Sequence, residues 1–252
     1  MEDKIALIDA DSLIYISCYN KDNNLKTLEE CKNTADEFIK NILDATKTSK
    51  FLLFLTIGKG FRYKVYTEYK ANRKDLKPLA HYVEVRQYLI DKYKAYNHPE
   101  LEADDLCLIY SKKLPNSFIS SPDKDVLMLE GRHYNYKKHK WVEVNKKDSI
   151  KYFWTSCICG DVIDNIKGIP NKGEKYAEKI FDDYFRNVLA DKWYRDKTFD
   201  AYINNFGEKE GIKQFYQNYS CLKIVDEWPD IPDLSAIDYN KIINEYQEEN
   251  NR

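Results

Sequence analysis

Nine acidic residues in four short clusters constrain this chain more than any other feature. They are Asp9 and Asp11 in IALIDADSLIY, Glu102, Asp104 and Asp105 in LEADDL, Asp123 and Asp125 in SSPDKDVLML, and Asp161 and Asp164 in GDVIDNIKGIP. The first cluster follows the apolar run Ile5–Ile8, and the third follows Ser117–Ser120; both runs have the length and character of buried strands. Carboxylates at the carboxyl ends of parallel strands converge in the crevice where α/β proteins place ligands. Like charges within ~4–6 Å disfavour each other's ionisation, so such a cluster calls for cations. Oxygen donors without a Cys/His set select Mg²⁺ or Mn²⁺ over zinc. Two such ions ~3.5–4 Å apart are suited to phosphodiester hydrolysis. The clusters thus predict an α/β fold with a metal-dependent hydrolytic site.

At 252 residues, with 33% charged and 43% hydrophobic residues, the chain can bury a substantial core. No apolar run approaches the ~18 residues of a membrane span. The acidic start MEDKIALID enters a strand directly, so no ordinary secretory signal is expected. Cys18, Cys31, Cys107, Cys157, Cys159 and Cys221 lack zinc spacing and read as reduced core thiols of a cytosolic protein. His81, His98, His133 and His139 fit no metal or nucleophile pattern.

The net charge of −2 conceals a division along the chain. Residues 58–94 hold ten Lys/Arg against four Asp/Glu, residues 132–151 seven against two, and residues 225–252 two against eight. Basic stretches flanking an acidic centre suit an enzyme that handles a phosphate backbone, although charge alone equally describes a solvated surface. Strands and helices alternate up to about residue 145. Helices are expected at 12–19, 28–46, 82–93 and 104–112, and strands at 5–8, 51–55, 117–120, 134–136 and 141–144. Helices dominate afterwards, broken at Gly160 and at 168–173. The expected division is an α/β domain over 1–147, with a basic segment at about 58–94, and a helical region over 148–252.

In LEADDL, Asp105 lies one helical turn from Glu102, and three acids there either cap the helix or bind something. Asp161 and Asp164, at i and i+3, would share one helical face. The following GIPNKGEKYAEKI reads as a helix–hairpin–helix over about 160–185, opening a helix at Glu174, where backbone amides can bind phosphate and Lys172, Lys175 and Lys179 add charge. In EYKANRK, Lys70 and Arg73 could neutralise a phosphate while Tyr66 and Tyr69 stack on bases; a solvated basic helix is the plainer reading.

Taken in order, DADSLIY, FR with EYKANR, LEADDL, SPDKDVLML and GDVIDNIKGIPNKGEKYAEKI resemble the flap endonuclease/5′–3′ exonuclease family, especially its phage members. The resemblance implies a PIN-like parallel-sheet nuclease domain, a helical arch and a helix–hairpin–helix that grips duplex. It places Asp9, Glu102, Asp104, Asp105 and Asp123 at a first metal, and Asp125, Asp161 and Asp164 at a second. Lys70 and Arg73 stand as arch-base catalytic residues, and Arg62, Tyr69, Gly168, Lys172, Gly173 and Lys175 as DNA contacts. Two Mg²⁺ or Mn²⁺ ions are implied, with K⁺ at the helix–hairpin–helix as a secondary expectation. The implied partner is DNA with a 5′ end, flap or branch, with RNA–DNA hybrids secondary, and the protein acts as a monomer away from membranes.

The chain departs from the family in three places. Thr56 and Ile57 stand where relatives often carry an Asp after the second strand, and Asp11 stands where many have Asn, so Asp11 can restore a carboxylate. The arch segment between Arg73 and Tyr93 is short. Asn171–Lys172–Gly173 replaces Gly-Ile-Gly, and Asn tolerates the left-handed backbone needed there. The expected activity is structure-specific 5′ nuclease cleavage of DNA. The rivals are a PIN-type ribonuclease and a DNA-binding protein with weakened catalysis.

Overall fold

A computed structural model describes residues 4–19, 26–73, 79–182 and 191–229. Parts of the predicted arch segment (74–78) and of the C-terminal region (183–190 and 230–252) lie outside the described residues. In chain order the first half comprises β1 (Ile5–Asp9), α1 (Asp11–Cys18), α2 (Leu28–Thr46), β2 (Lys50–Thr56), α3 (Phe61–Val65), α4 (Tyr82–Tyr93), β3 (Tyr96–His98), α5 (Ala103–Lys113) and β4 (Ser117–Ser120). There follow β5 (Gly131–Asn135), β6 (Lys140–Val144), α6 (Lys146–Cys159), β7 (Gly160–Asp161), β8 (Ile166–Lys167), α7 (Glu174–Ile180), α8 (Asp191–Phe206) and α9 (Glu208–Leu222).

The main sheet has the order β3-β2-β1-β4-β5-β6, parallel throughout except for the antiparallel β5–β6 hairpin. Central strands covered on both faces read as unbroken apolar runs rather than alternating ones, which is why IALI and FLLFL stand out in the sequence. Alternate residues nonetheless serve different cores. Ala6, Ile8, Leu53 and Leu55 pack with Leu13, Ile39, Val85 and Leu89 from α1, α2 and α4. Leu7, Leu52 and Phe54 pack with Leu106 and Tyr110 of α5. The edge strand β3 was not anticipated, because three half-buried residues, Tyr-Asn-His, carry no apolar pattern.

α2 begins where predicted. Thr27 Oγ1 accepts the Glu30 N–H at 3.2 Å and Glu30 Oε2 accepts the Thr27 N–H at 2.7 Å, a reciprocal cap. After β6 a third core forms among helices α6–α9, around Trp154, Ile158, Tyr202 and Phe215, and it also takes in Tyr69. Gly160 and Gly168 permit the β7–β8 hairpin between α6 and α7. Gly160 adopts φ +75°, and a Cβ on it would stand 2.3 Å from the Gly168 nitrogen.

The hairpin corrects one expectation. Asp161 closes β7 and Asp164 lies in the turn that follows, so the pair does not share a helical face. Among the described residues no helix is long and apolar enough to cross a membrane. All six cysteines are free thiols, five of them buried.

Candidate active site

The order of the sheet sets the location of the site. From β1 the chain builds outward through β2 and β3 on one side and through β4 and β5 on the other, so a crevice opens at the carboxyl ends of β1 and β4. Asp9, the last residue of β1, is buried at this edge. Its Oδ2 accepts the Ser121 hydroxyl at 2.9 Å, and Ser121 Oγ accepts the Asp123 N–H at 3.1 Å. One serine therefore ties the first and third acidic clusters together. Asp123 Oδ1 accepts the Asp125 N–H at 3.0 Å and starts a 3₁₀ turn over Lys124–Met128.

Thr56, at the end of β2, performs two positioning tasks. Its N–H donates to Asp11 Oδ1 at 3.0 Å, and its Oγ1 accepts the Ala103 N–H at 2.9 Å, which seats the first turn of α5 and brings Glu102 and Asp104 to the crevice. The β7–β8 hairpin supplies the opposite wall. The resulting cleft, of about 450 Å³, is lined by Asp9, Asp11, Glu102, Asp104, Asp123, Asp125, Asp161 and Asp164, together with Lys70 and Arg73. Eight of the nine predicted acids and both predicted cations thus converge, although they are drawn from positions 9 to 164.

Electrostatics divide these acids. Burial, then the neighbouring Asp11, pushes Asp9 up to about 7, and burial followed by Asp123 does the same to Asp125, also to about 7. Burial likewise raises Asp11, and burial with Asp105 raises Asp104 well above the carboxylate range. Burial would also raise Glu102, but Lys70 and then Arg62 hold it below its ordinary value. Lys70 donates to both Glu102 oxygens at 2.8 Å. Arg73 pairs with Asp164 at 2.5 Å, and Lys124 with Asp161 at 2.5 Å. Burial is the largest influence on Asp161, but the Lys124 bond and charge, together with the Ile163 and Asp164 N–H groups, hold it below its usual value, whereas in Asp164 burial outweighs Lys70 and Arg73 and the net shift is upward.

Whether divalent ions fit can be judged from the donors. Asp125 Oδ1 is a buried oxygen with no hydrogen-bond partner, and it faces the Lys124 ammonium at 3.7 Å. An all-oxygen donor set of this kind suits a hard dication. Among the described residues no three donors already stand around one coordination point. Glu102, Asp161 and Asp164 are instead paired with Lys70, Lys124 and Arg73.

Three predicted contacts are corrected. Asp105, fully buried, takes the Arg62 guanidinium at 2.6 and 2.8 Å and accepts the N–H groups of Glu102 at 3.0 Å and Val225 at 2.9 Å. With both oxygens spent, it is an architectural acid rather than a metal ligand. Arg62, 2% exposed, also donates to the carbonyls of Cys221 and Lys223, so it clamps α3 to α5 and to the end of α9 and does not reach DNA. Tyr69, 1% exposed, cannot stack on a base; its hydroxyl donates toward Glu102 at 3.2 Å and Asp164 at 3.0 Å.

Lys70 and Arg73 do not share a helix. Lys70 sits in a turn at φ 54°, and Arg73 ends the 3₁₀ turn Ala71–Arg73. Gly168 is needed for close packing, since a Cβ would fall 2.2 Å from the Cys159 carbonyl carbon. Gly173 precedes α7 in open space, and Lys175 is exposed beside it. Lys172 lies over the Tyr176 ring at 4.4 Å. Asn171 adopts φ 59°, as its substitution for glycine requires.

Sequence reasoning gave no site role to Lys124 and no positioning role to Thr56. Lys124 was visible between two predicted ligands, but a lysine inside Asp-Lys-Asp gives no sign of which acid it will meet.

Residues 4–153 match the model of the 5′-3′ exonuclease, N-terminal resolvase-like domain. Similar curated proteins include DNA polymerase I of Rhizobium leguminosarum, 27% identical over 177 residues (63% of this chain, 16% of the relative). A 5′-3′ exonuclease of Buchnera aphidicola is 30% identical over 159 residues (56% of each), and one of Mycoplasmopsis pulmonis is 27% identical over 231 residues (79% of this chain, 76% of the relative). The chain thus spans well under two thirds of the first two. A bacteriophage T5 flap endonuclease solved with DNA and metal ions shares the fold, with a TM-score of 0.68 at 16% identity over 98% of this chain and 99% of that one. By the matched domain, which covers more than half of its length, the chain belongs to the 5′-3′ exonuclease N-terminal domain family.

Proposed function

We propose that the protein is a divalent-metal-dependent 5′ nuclease, a 5′–3′ exonuclease and flap endonuclease that hydrolyses phosphodiesters of DNA. The observation that carries this reading is the convergence, at the sheet's switch point, of eight carboxylates from four distant segments beside Lys70 and Arg73. Family membership supports it, as do the names of the relatives, which are 5′-3′ exonucleases and DNA polymerases I.

Asp9, Asp11, Glu102, Asp104 and Asp123 would hold one Mg²⁺ or Mn²⁺ ion, and Asp125, Asp161 and Asp164 the other. Such ions supply Lewis-acid stabilisation of the phosphoryl oxygens and activation of water. The protein's own part is placement. Thr56 and Ser121 fix the carboxylates, and Lys70, its charge secured by Glu102 against burial, keeps an ammonium at the cleft wall. Arg73, with its side chain 43% exposed, can offer a planar fork to a phosphate. Thr56 fills the position of the missing strand-end Asp, while Asp11 returns a carboxylate to the cleft, which favours an active enzyme over a weakened binding protein.

In this reading residues 1–147 form the nuclease domain, and the helical region from about 148 carries the duplex-gripping hairpin, with Lys172 and Lys175 on its surface. The test is cleavage of a 5′-flap DNA with Mg²⁺, beside single-stranded RNA of the same length. The flap should be cut only with metal, and Asp123→Asn should reduce cutting to background while DNA binding holds or improves, because repulsion between site and phosphate falls. Preferred cutting of the RNA would replace this reading with that of a ribonuclease.

A further inference from the structure

Of the cations that line the cleft, Lys70, Arg73 and Lys124 differ in how firmly they are held. Lys70 is 16% exposed and bonded to both oxygens of Glu102. Arg73 is anchored additionally by the Ile163 carbonyl. Lys124 is different. Its side chain is 48% exposed, and its ammonium spans two segments, 2.5 Å from Asp161 Oδ2 on the hairpin and 3.7 Å from Asp125 Oδ1 on the sheet side. Among the described residues its hydrogen-bond and ion-pair partners are those two acids. Asp125 Oδ1 has no hydrogen bond of its own, so the lysine charge is what faces it.

We propose that Lys124 is a built-in counter-ion of the second acidic group, a positioning residue whose ammonium occupies the gap between Asp125 and Asp161 that a divalent ion takes on loading. The inference rests on the two-ion reading given above. A dication and an ammonium cannot share that gap, because both need the same oxygens and repel each other. Loading therefore exchanges one +1 charge for one +2 charge, and the lysine, on a flexible stem with half its surface already in solvent, swings outward at low cost. Two consequences follow. The affinity of the weaker ion is set partly by Lys124, and the metal-free cleft keeps its two walls joined by the lysine.

Calorimetric titration with Ca²⁺ of the full chain tests this on the wild type, Lys124→Gln and Lys124→Arg. The weaker of the two binding events should tighten about 5- to 20-fold in Lys124→Gln and remain near wild type in Lys124→Arg, with the tighter event unmoved. Asp161→Asn should abolish the event that moves, which identifies it. A second measurement needs no variant. Amine acetylation of Lys124, followed by mass spectrometry against the exposed Lys213, should accelerate several-fold when Ca²⁺ is added. A wild type that takes up two ions, with unchanged affinity in Lys124→Gln or an unchanged acetylation rate at Lys124, overturns this inference alone. A wild type that takes up fewer than two ions overturns the two-ion reading and the inference with it.

Discussion

The two walls of the cleft meet the same problem, buried negative charge, in opposite ways. On the sheet side, among the described residues, no lysine or arginine nitrogen lies within 4.0 Å of Asp9, Asp11, Asp104 or Asp123. Three of these four are pushed upward, first by burial and then by neighbouring carboxylates. On the hairpin side Asp161 and Asp164 are clamped by Lys124 and Arg73. These four acids carry burial and repulsion that a dication would relieve, while Glu102 beside them is paired with Lys70 and Asp125 faces Lys124. The hairpin wall is neutralised by the chain itself and has to give up partners before it binds anything. The difference teaches that acidic residues of similar spacing can be prepared for a metal to different degrees, and that the preparation resides in neighbouring cations.

The largest effect expected on this contrast comes from the ninth acid. Asp105 shares LEADDL with Asp104 but faces Arg62 in a buried, bidentate pair. Arg62→Met leaves that carboxylate buried without its partner and should cost about 3–5 kcal/mol in urea unfolding. A loss below about 1 kcal/mol would mean that Asp105 finds another cation, and it would return to the candidate ligands.

Next comes the sign of the pH dependence. Asp9, raised from its ordinary value to about 7, contributes stability that is present below about pH 4 and lost as pH rises through about 7. Metal-free Asp9→Asn should therefore be more stable than wild type at pH 8, by at most about 4 kcal/mol, and the gap should close toward pH 4. Saturating Mg²⁺ should shrink it from the other side by stabilising the wild type. Asp161 is lowered, so it contributes stability above its unfolded value that is lost on acidification. Asp161→Asn should therefore destabilise the metal-free protein at pH 8, by about 1 kcal/mol. Thermal melts of the two variants moving in the same direction would erase the distinction between the walls.

The smallest effect concerns the hairpin's outer surface. Replacing Lys172 and Lys175 together by Ala should weaken duplex binding at every sequence and lower the slope of log affinity against log salt by up to about 2. A loss confined to certain sequences would show that this side reads bases rather than phosphates.

Much of this was legible in one dimension. Unbroken apolar runs marked β1 and β2 because strands covered on both faces need them, and an acid directly after such a run has to stand at the sheet's edge. That local logic placed Asp9, Asp123 and the start of α5, and Asn171 announced its left-handed backbone. It failed where partners come from far away. Asp104 and Asp105 are adjacent, yet one faces the cleft and the other meets Arg62, 43 positions away, together with the Val225 N–H, 120 positions away. Tyr69 is drawn into a core built largely by α6–α9. The i,i+3 spacing of Asp161 and Asp164 suits a helix and a turn equally, and the close approach of Gly160 to Gly168 decided for the hairpin. The residue types and their order determined the sheet and its acidic edge. Which acids remain free for an ion was decided by tertiary contact, because a carboxylate's charge state and partners depend on burial and on cations that the fold brings from elsewhere in the chain.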